Sequence, residues 1–226
     1  MTEYSIKNVK GHILIETDGG LVLVDTGSPF TFHEDGEMTV CGKKFDLLTS
    51  FPGIVDSRYI SDKLGVTVKG LLGMDIISQH TMSVDLKNGI LAFDCDTEGW
   101  TPAPSSRLCG LMTVTVNVAG KPARVFLDTG APTSYISPAY INQDTEPLEY
   151  VKDFSPMSGD FETPIFELPC SFAGEDFTMR LGNLPDVLNF GVSSLGAQGA
   201  VGLELLKRFR FLITPQCVFV KEFRDR

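Results

Sequence analysis

VLVDTGSP at 22–29 is answered by RVFLDTGAP at 124–132. In each stretch an apolar run ends in Asp-Thr-Gly. A carboxylate that follows a buried strand and precedes a glycine turn is held on a rigid element at the mouth of a loop. Two such units predict two carboxylates, Asp25 and Asp128, brought face to face. That arrangement activates water without metal or cofactor. A lone Asp-Thr-Gly would mark only a strand-ending turn. The pair carries weight because the sequence around it repeats as well.

Working outward, Ile13, Ile15, Leu21 and Leu23 alternate around Asp18-Gly19-Gly20, which reads as a hairpin whose returning strand ends at Asp25. Val114, Val116 and Val118 lead to the turn Ala119-Gly120-Lys121-Pro122, and Val125 and Leu127 return the chain to Asp128. MTVCGKKFDLL at 38–48 matches CSFAGEDFTMRL at 170–181, each a hairpin around a glycine, and Phe51-Pro52 is echoed by Leu184-Pro185. LLGMDIISQHTMSVDLKNGILAFD at 71–94 aligns with AVGLELLKRFRFLITPQCVFVKEF at 200–223, which pairs Gly73 with Gly202 and Asp75 with Glu204. Three blocks in the same order indicate a duplicated unit. TPAPSSR at 101–107 reads as the junction. The expected domains are residues 1–103 and 104–226. Short helices are expected at 74–80, 137–143 and 203–209.

The copies differ in length. The two aspartates are 103 residues apart (128 − 25), but the paired glycines are 129 apart (202 − 73), so the second copy carries 26 extra residues. Part of the excess is assigned to 133–169, where apolar segments flank Pro156-Met157-Ser158-Gly159 as a hairpin with a tip. The remainder is assigned to 190–200. The first copy has only PFTFHEDGE at 29–37 in the place of that hairpin.

Composition bounds the function. The 226 residues are 42% hydrophobic and 21% charged, enough for a core and unlike a disordered chain. A net charge of −10 argues against nucleic acid or an anionic membrane surface as partner. No apolar run has the length of a membrane span, and the N-terminus lacks a signal-peptide pattern. Five cysteines with no Cys-x-x-Cys pair disfavour a disulfide framework or a zinc site, and a reducing, cytoplasmic setting is expected. His12, His33 and His80 do not cluster along the chain, so neither a metal nor a catalytic role is expected of them. Asp75 and Glu204 are explained by the favourable field at a helix N-terminus. Trp100 is expected to pack between the two halves, and the tail KEFRDR at 221–226 to be solvated.

These residues resemble the aspartic proteases of both the retroviral and the pepsin type. In that family each half carries an apolar strand into Asp-Thr/Ser-Gly, and a later apolar-apolar-Gly segment crosses behind the loop. Leu71-Leu72-Gly73 and Ala200-Val201-Gly202 match that segment. The resemblance covers nearly the whole chain, in two copies. It implies an all-β, two-lobed acid-protease fold with pseudo-twofold symmetry. It implies an endopeptidase that hydrolyses peptide bonds through a water activated by the Asp25/Asp128 dyad, with no metal or cofactor. Thr26 and Thr129 would bond across the axis, and Gly27 and Gly130 would let the backbone approach the carboxylates. Ser28 would bond its neighbouring carboxylate, which Ala131 cannot, making the aspartates inequivalent. A single flap from the second lobe, with Phe154, Pro156, Met157, Ser158, Gly159 and Phe161, would close on a peptide or unfolded protein bound as an extended strand. A monomer is expected, with a dimer that covers the flapless side as an alternative. The other class of function is a peptide-binding module that keeps this fold without cutting.

Overall fold

The structure, a computed structural model, describes residues 1–51, 55–155 and 159–223. It is mostly β-sheet with four short α-helices. The first sheet orders its strands Lys7–Val9, His12–Thr17, Gly20–Val24, Gly70–Leu72 and Phe32–His33. The hairpin pairs Leu14 with Leu23, and Gly70–Leu72 then lies parallel to the returning strand, Leu72 beside Val24. The second half repeats this arrangement. Leu111–Val118 and Lys121–Leu127 form the hairpin, and Gly199–Val201 lies parallel to its returning strand, Val201 beside Leu127. In both halves the crossing strand also pairs antiparallel with the strand that follows the Asp-Thr-Gly loop.

The alternation read from the sequence gives the burial. Val114, Val116 and Val118 are inside, whereas Thr115 and Asn117 face out. Ile13, Leu14 and Ile15 are all buried, the signature of a strand covered on both faces. A six-stranded sheet joins the halves, ordered Thr2–Ser5, Ile90–Phe93, Met82–Asp85, Phe209–Ile213, Val218–Glu222 and Thr101–Pro102. At its centre Val84 lies opposite Phe211, so one apolar cluster runs from Ile13 and Phe93 through to Phe172 and Val220.

The expected junction is not a loop. Thr101–Pro102 pairs with the last strand, and Ser105–Leu108 pairs with Leu111–Val118. Trp100 lies beneath the cations of Arg210 and Lys221, so the end of the first half is pinned to the second. Residues 224–226 of the charged tail lie outside the described residues.

The helices are α1 (Ser57–Leu64), α2 (Met74–Ile77), α3 (Asp186–Ser194) and α4 (Leu203–Leu206). The segments expected at 74–80 and 203–209 are helical for only their first four residues, and 137–143 holds a 3₁₀ turn at Pro138–Tyr140. The sequence reading did not include α1 and α3. The Asp56 side chain caps the N-terminus of α1 by accepting from the Tyr59 amide at 2.8 Å, and Gly65 ends it at φ 75°.

These two helices also correct the placement of the length excess. They begin 129 residues apart (186 − 57), the same spacing as the paired glycines, so α3 is the counterpart of α1. From Gly42 to Gly73 is 31 residues and from Gly174 to Gly202 is 28, so 190–200 holds no excess. The whole excess lies between Asp128 and Gly174. There the strand Gly159–Phe172 pairs with Glu149–Ser155 on one side and with Glu175–Asn183 on the other.

Candidate active site

Each Asp-Thr-Gly loop is set by the strand that enters it and the strand that crosses behind it. The Asp25 amide donates to Leu72 O at 3.0 Å, and the Asp128 amide donates to Val201 O at 2.9 Å. Both threonines are fully buried. Thr26 N–H donates to Thr129 Oγ1 and Thr129 N–H to Thr26 Oγ1, each at 3.0 Å. Each hydroxyl donates onward across the axis, Thr26 to Leu127 O at 2.6 Å and Thr129 to Val24 O at 2.8 Å. Four buried hydrogen bonds therefore lock the two loops together.

The glycines permit the close approach. A Cβ on Gly27 would lie 2.5 Å from the Asp128 carboxyl, and one on Gly130 would lie 2.6 Å from that of Asp25. Each glycine instead gives its amide to the carboxylate of its own loop, Gly27 N to Asp25 Oδ1 at 2.8 Å and Gly130 N to Asp128 Oδ1 at 2.9 Å. The two carboxyls face each other, each lying against the glycine of the opposite loop and each affecting the other's titration. Both keep part of their surface exposed, so they form a floor that a small molecule can reach. Burial is the largest cause that raises both from the usual carboxylate range, and for Asp128 the Asp25 charge adds to it. Both positions therefore favour the protonated form more than an isolated carboxyl does.

Ser28 bonds its neighbouring carboxylate through its backbone amide, and Ala131, expected to make no such bond, does the same for Asp128. The Ser28 hydroxyl donates to Phe30 O at 2.9 Å instead. The Ala131 carbonyl accepts from the Leu203 amide, and the Ser28 carbonyl accepts from Met74, so both loops end on the helix behind them. Asp75 does more than complement a helix field. Its carboxylate receives the Thr31 amide and hydroxyl, and Thr31 Oγ1 receives the Gly73 amide, which fastens the first loop to the crossing strand. Glu204 instead pairs with Lys207.

The asymmetry comes from His12, which the sequence reading set aside. It is buried, with Nδ1 lacking a hydrogen-bond partner among the described residues. Burial lowers its pKa most, opposed by the Gly130 backbone and the charges of Asp153 and Asp25. Burial therefore favours the neutral form of this imidazole, which lies near Asp25. His12 sits at the first residue of its strand, where no local pattern marked it.

The hairpin of the second half reaches over to the first. The Phe154 ring packs on Tyr59 of α1 at 5.8 Å and near His12 at 6.5 Å. Lys63 of α1 pairs with Asp160 at 2.5 Å and lies over the Phe154 ring at 5.1 Å. Phe161 packs on Tyr135, whose hydroxyl donates to Asp153. Gly159 takes φ 73° at the start of the outgoing strand. Pro156, Met157 and Ser158 lie outside the described residues. A cavity of about 680 Å³ lies beneath this hairpin, lined by His12, Lys63, Pro132, Asp153, Phe154 and Phe161 among others. It lies beside the carboxyl pair rather than directly over it, with His12 as the link. Tyr59, Lys63, Tyr135 and Asp153 belong to this region and carried no sequence signal as site residues. Tyr135 occupies a repeat position that holds Phe32 in the first half, so it reads as core.

No protein-family model matches the chain, and no curated protein matches it either. Among solved structures it is similar to the aspartic proteinase from Irpex lacteus, at 13% identity and a TM-score of 0.52. That alignment covers 98% of this chain and 97% of the other. The likeness establishes the fold as that of an aspartic proteinase.

Proposed function

We propose that this chain is an aspartic endopeptidase, with Asp25 and Asp128 sharing one proton. The observation that carries this reading is the facing carboxyl pair, partly exposed and held by the Gly27 and Gly130 amides. Two carboxylates about 3 Å apart repel by roughly 5 kcal/mol at an effective dielectric near 20, so both cannot be ionised at working pH. The ionised member takes a proton from a bound water, whose oxygen attacks the peptide carbonyl. The protonated member donates to the carbonyl oxygen, and the resulting diol collapses as a proton passes to the leaving nitrogen. The threonine lock holds both carboxyls at the required separation before substrate arrives.

The substrate in this reading is an extended peptide or an unfolded segment. Its backbone pairs with the Glu149–Ser155 hairpin, and its side chains alternate between the cavity and solvent. Closure of that hairpin keeps bulk water from the reacting carbonyl.

A second reading has its own observation. Among the described residues only the second half carries this long hairpin, and it is clasped to α1 through Lys63 and Phe154. A one-sided, clasped cleft suits a module that binds peptide without turnover. Cleavage of a mixed peptide library from pH 3 to 8, with wild type beside Asp25→Asn and Asp128→Asn, separates the two. Cutting abolished by both variants supports the protease. Binding without cutting by folded wild type supports the module. Cutting that survives either variant removes the dyad.

A further inference from the structure

Cys41, His80 and Asp94 come from three separate segments. Cys41 is in the turn between the strands Glu37–Val40 and Lys43–Asp46, His80 follows α2, and Asp94 follows the strand Ile90–Phe93. One donor atom from each lies within 4.8 Å of the other two. None of the three lines the cavity beneath the hairpin.

The histidine is satisfied on one side only. Its Nδ1 is 2.9 Å from Asp94 Oδ1, whereas its Nε2 is buried with no hydrogen-bond partner among the described residues. The 2.9 Å between His80 Nδ1 and Asp94 Oδ1 is already close to the spacing of two donors on one tetrahedral ion, and the Cys41 thiol completes the trio; Nε2, on the far edge of the ring, takes no part.

We propose that Cys41, His80 and Asp94 form a binding site for a zinc-class divalent cation, separate from the Asp25/Asp128 cleft. The donor set is one thiolate, one imidazole and one carboxylate. That mixture selects zinc over magnesium or calcium, which take oxygen ligands almost alone. A tetrahedral zinc at ordinary bond lengths holds its donors about 3.3–3.6 Å apart, so closing the trio onto an ion takes shifts of about 1 Å. Water takes the fourth position. Binding forms a zinc–sulfur bond and releases the Cys41 thiol proton to solvent. The ion ties the hairpin turn, the end of α2 and the end of a strand of the joining sheet. Because α2 starts directly after Gly73, the site braces the segment that crosses behind Asp25.

The test uses the whole chain in a Cys109→Ser background, which removes the exposed thiol. Metal-free protein is titrated with Zn²⁺ by calorimetry and with Co²⁺ by absorption. The expected result is one equivalent per chain, a thiolate-to-cobalt charge-transfer band, and a melting temperature that rises with free Zn²⁺. Cys41→Ser removes the band and weakens binding at least about tenfold, and His80→Gln does the same. No saturable uptake at a tenfold excess of Zn²⁺ overturns the site, and so does binding that folded Cys41→Ser leaves unchanged. Should Cys41→Ser fail to fold by circular dichroism, His80→Gln decides by the same criteria.

Discussion

The carboxyl pair makes predictions that depend on single atoms. Asp25→Asn and Asp128→Asn each remove one of the two proton-transfer partners, and peptide cleavage is expected to fall by on the order of 10²–10⁴-fold or more. Stability moves the other way. Both carboxyls are raised by burial, so the folded state retains protons that the unfolded chain releases above about pH 4. Their contribution is unfavourable above that pH and vanishes below it. Asp128→Asn is therefore expected to raise the melting temperature at pH 7, with the gain shrinking to nothing as pH falls to about 4. Melting curves of both proteins across that range check it. A gain that persists at pH 3 contradicts the assignment. The threonine lock acts in the opposite sense. Thr26→Val removes the acceptor of the Thr129 amide and the donor to Leu127 O, leaving buried polar groups unpaired. The cost is expected to be about 2–6 kcal/mol in urea unfolding, at about one to three for each group left unpaired.

At the scale of elements, the two matching helices have different neighbours. In α1 Ile60 and Leu64 are buried, and Tyr59 and Lys63 receive the hairpin of the other half. In α3 Val187 and Phe190 are exposed. Ile60→Ala is expected to cost about 2–4 kcal/mol, and Phe190→Ser less than about 0.5 kcal/mol, measured by denaturant titration. The Lys63–Asp160 pair is solvent-exposed and is expected to contribute little to global stability. In the proposed protease its effect belongs to closure. Lys63→Ala is expected to change KM and kcat together at nearly unchanged melting temperature. An unchanged KM and kcat would separate the clasp from the cleft's working cycle.

The whole molecule unfolds as one body in this account. The six-stranded sheet takes strands from both halves, and one apolar cluster passes between them. A chain cut at the Trp100–Ser105 segment would expose the Val84–Phe211 seam and break the pairing of Thr101–Pro102 with Val218–Glu222. A single calorimetric transition is expected, with equal van't Hoff and calorimetric enthalpies. Two resolved transitions would mean that the halves are independent. The carboxyl pair depends on the same cohesion, because each half supplies only one aspartate.

The sequence by itself determined the repeated framework: the apolar strands into Asp25 and Asp128, the crossing segments ending at Gly73 and Gly202, and the hairpin confined to the second half. These were legible because alternation, turn glycines and repetition are local quantities, readable within a few residues. The caps of α1, Asp56 and Gly65, are local signals that the reading missed, because the pattern between them is short. Only the tertiary structure decided which way a side chain turned and what it met. Ser28 faces Phe30 O, Asp75 holds Thr31, His12 stands beside the carboxyls, and Tyr59 and Lys63 meet a hairpin roughly a hundred residues away. Cys41, His80 and Asp94 are scattered along the chain and converge only when a hairpin turn, a helix end and a strand end pack together. Periodicity specifies which residues go inside, whereas the choice among inside neighbours is made by packing between distant segments, which no local pattern records.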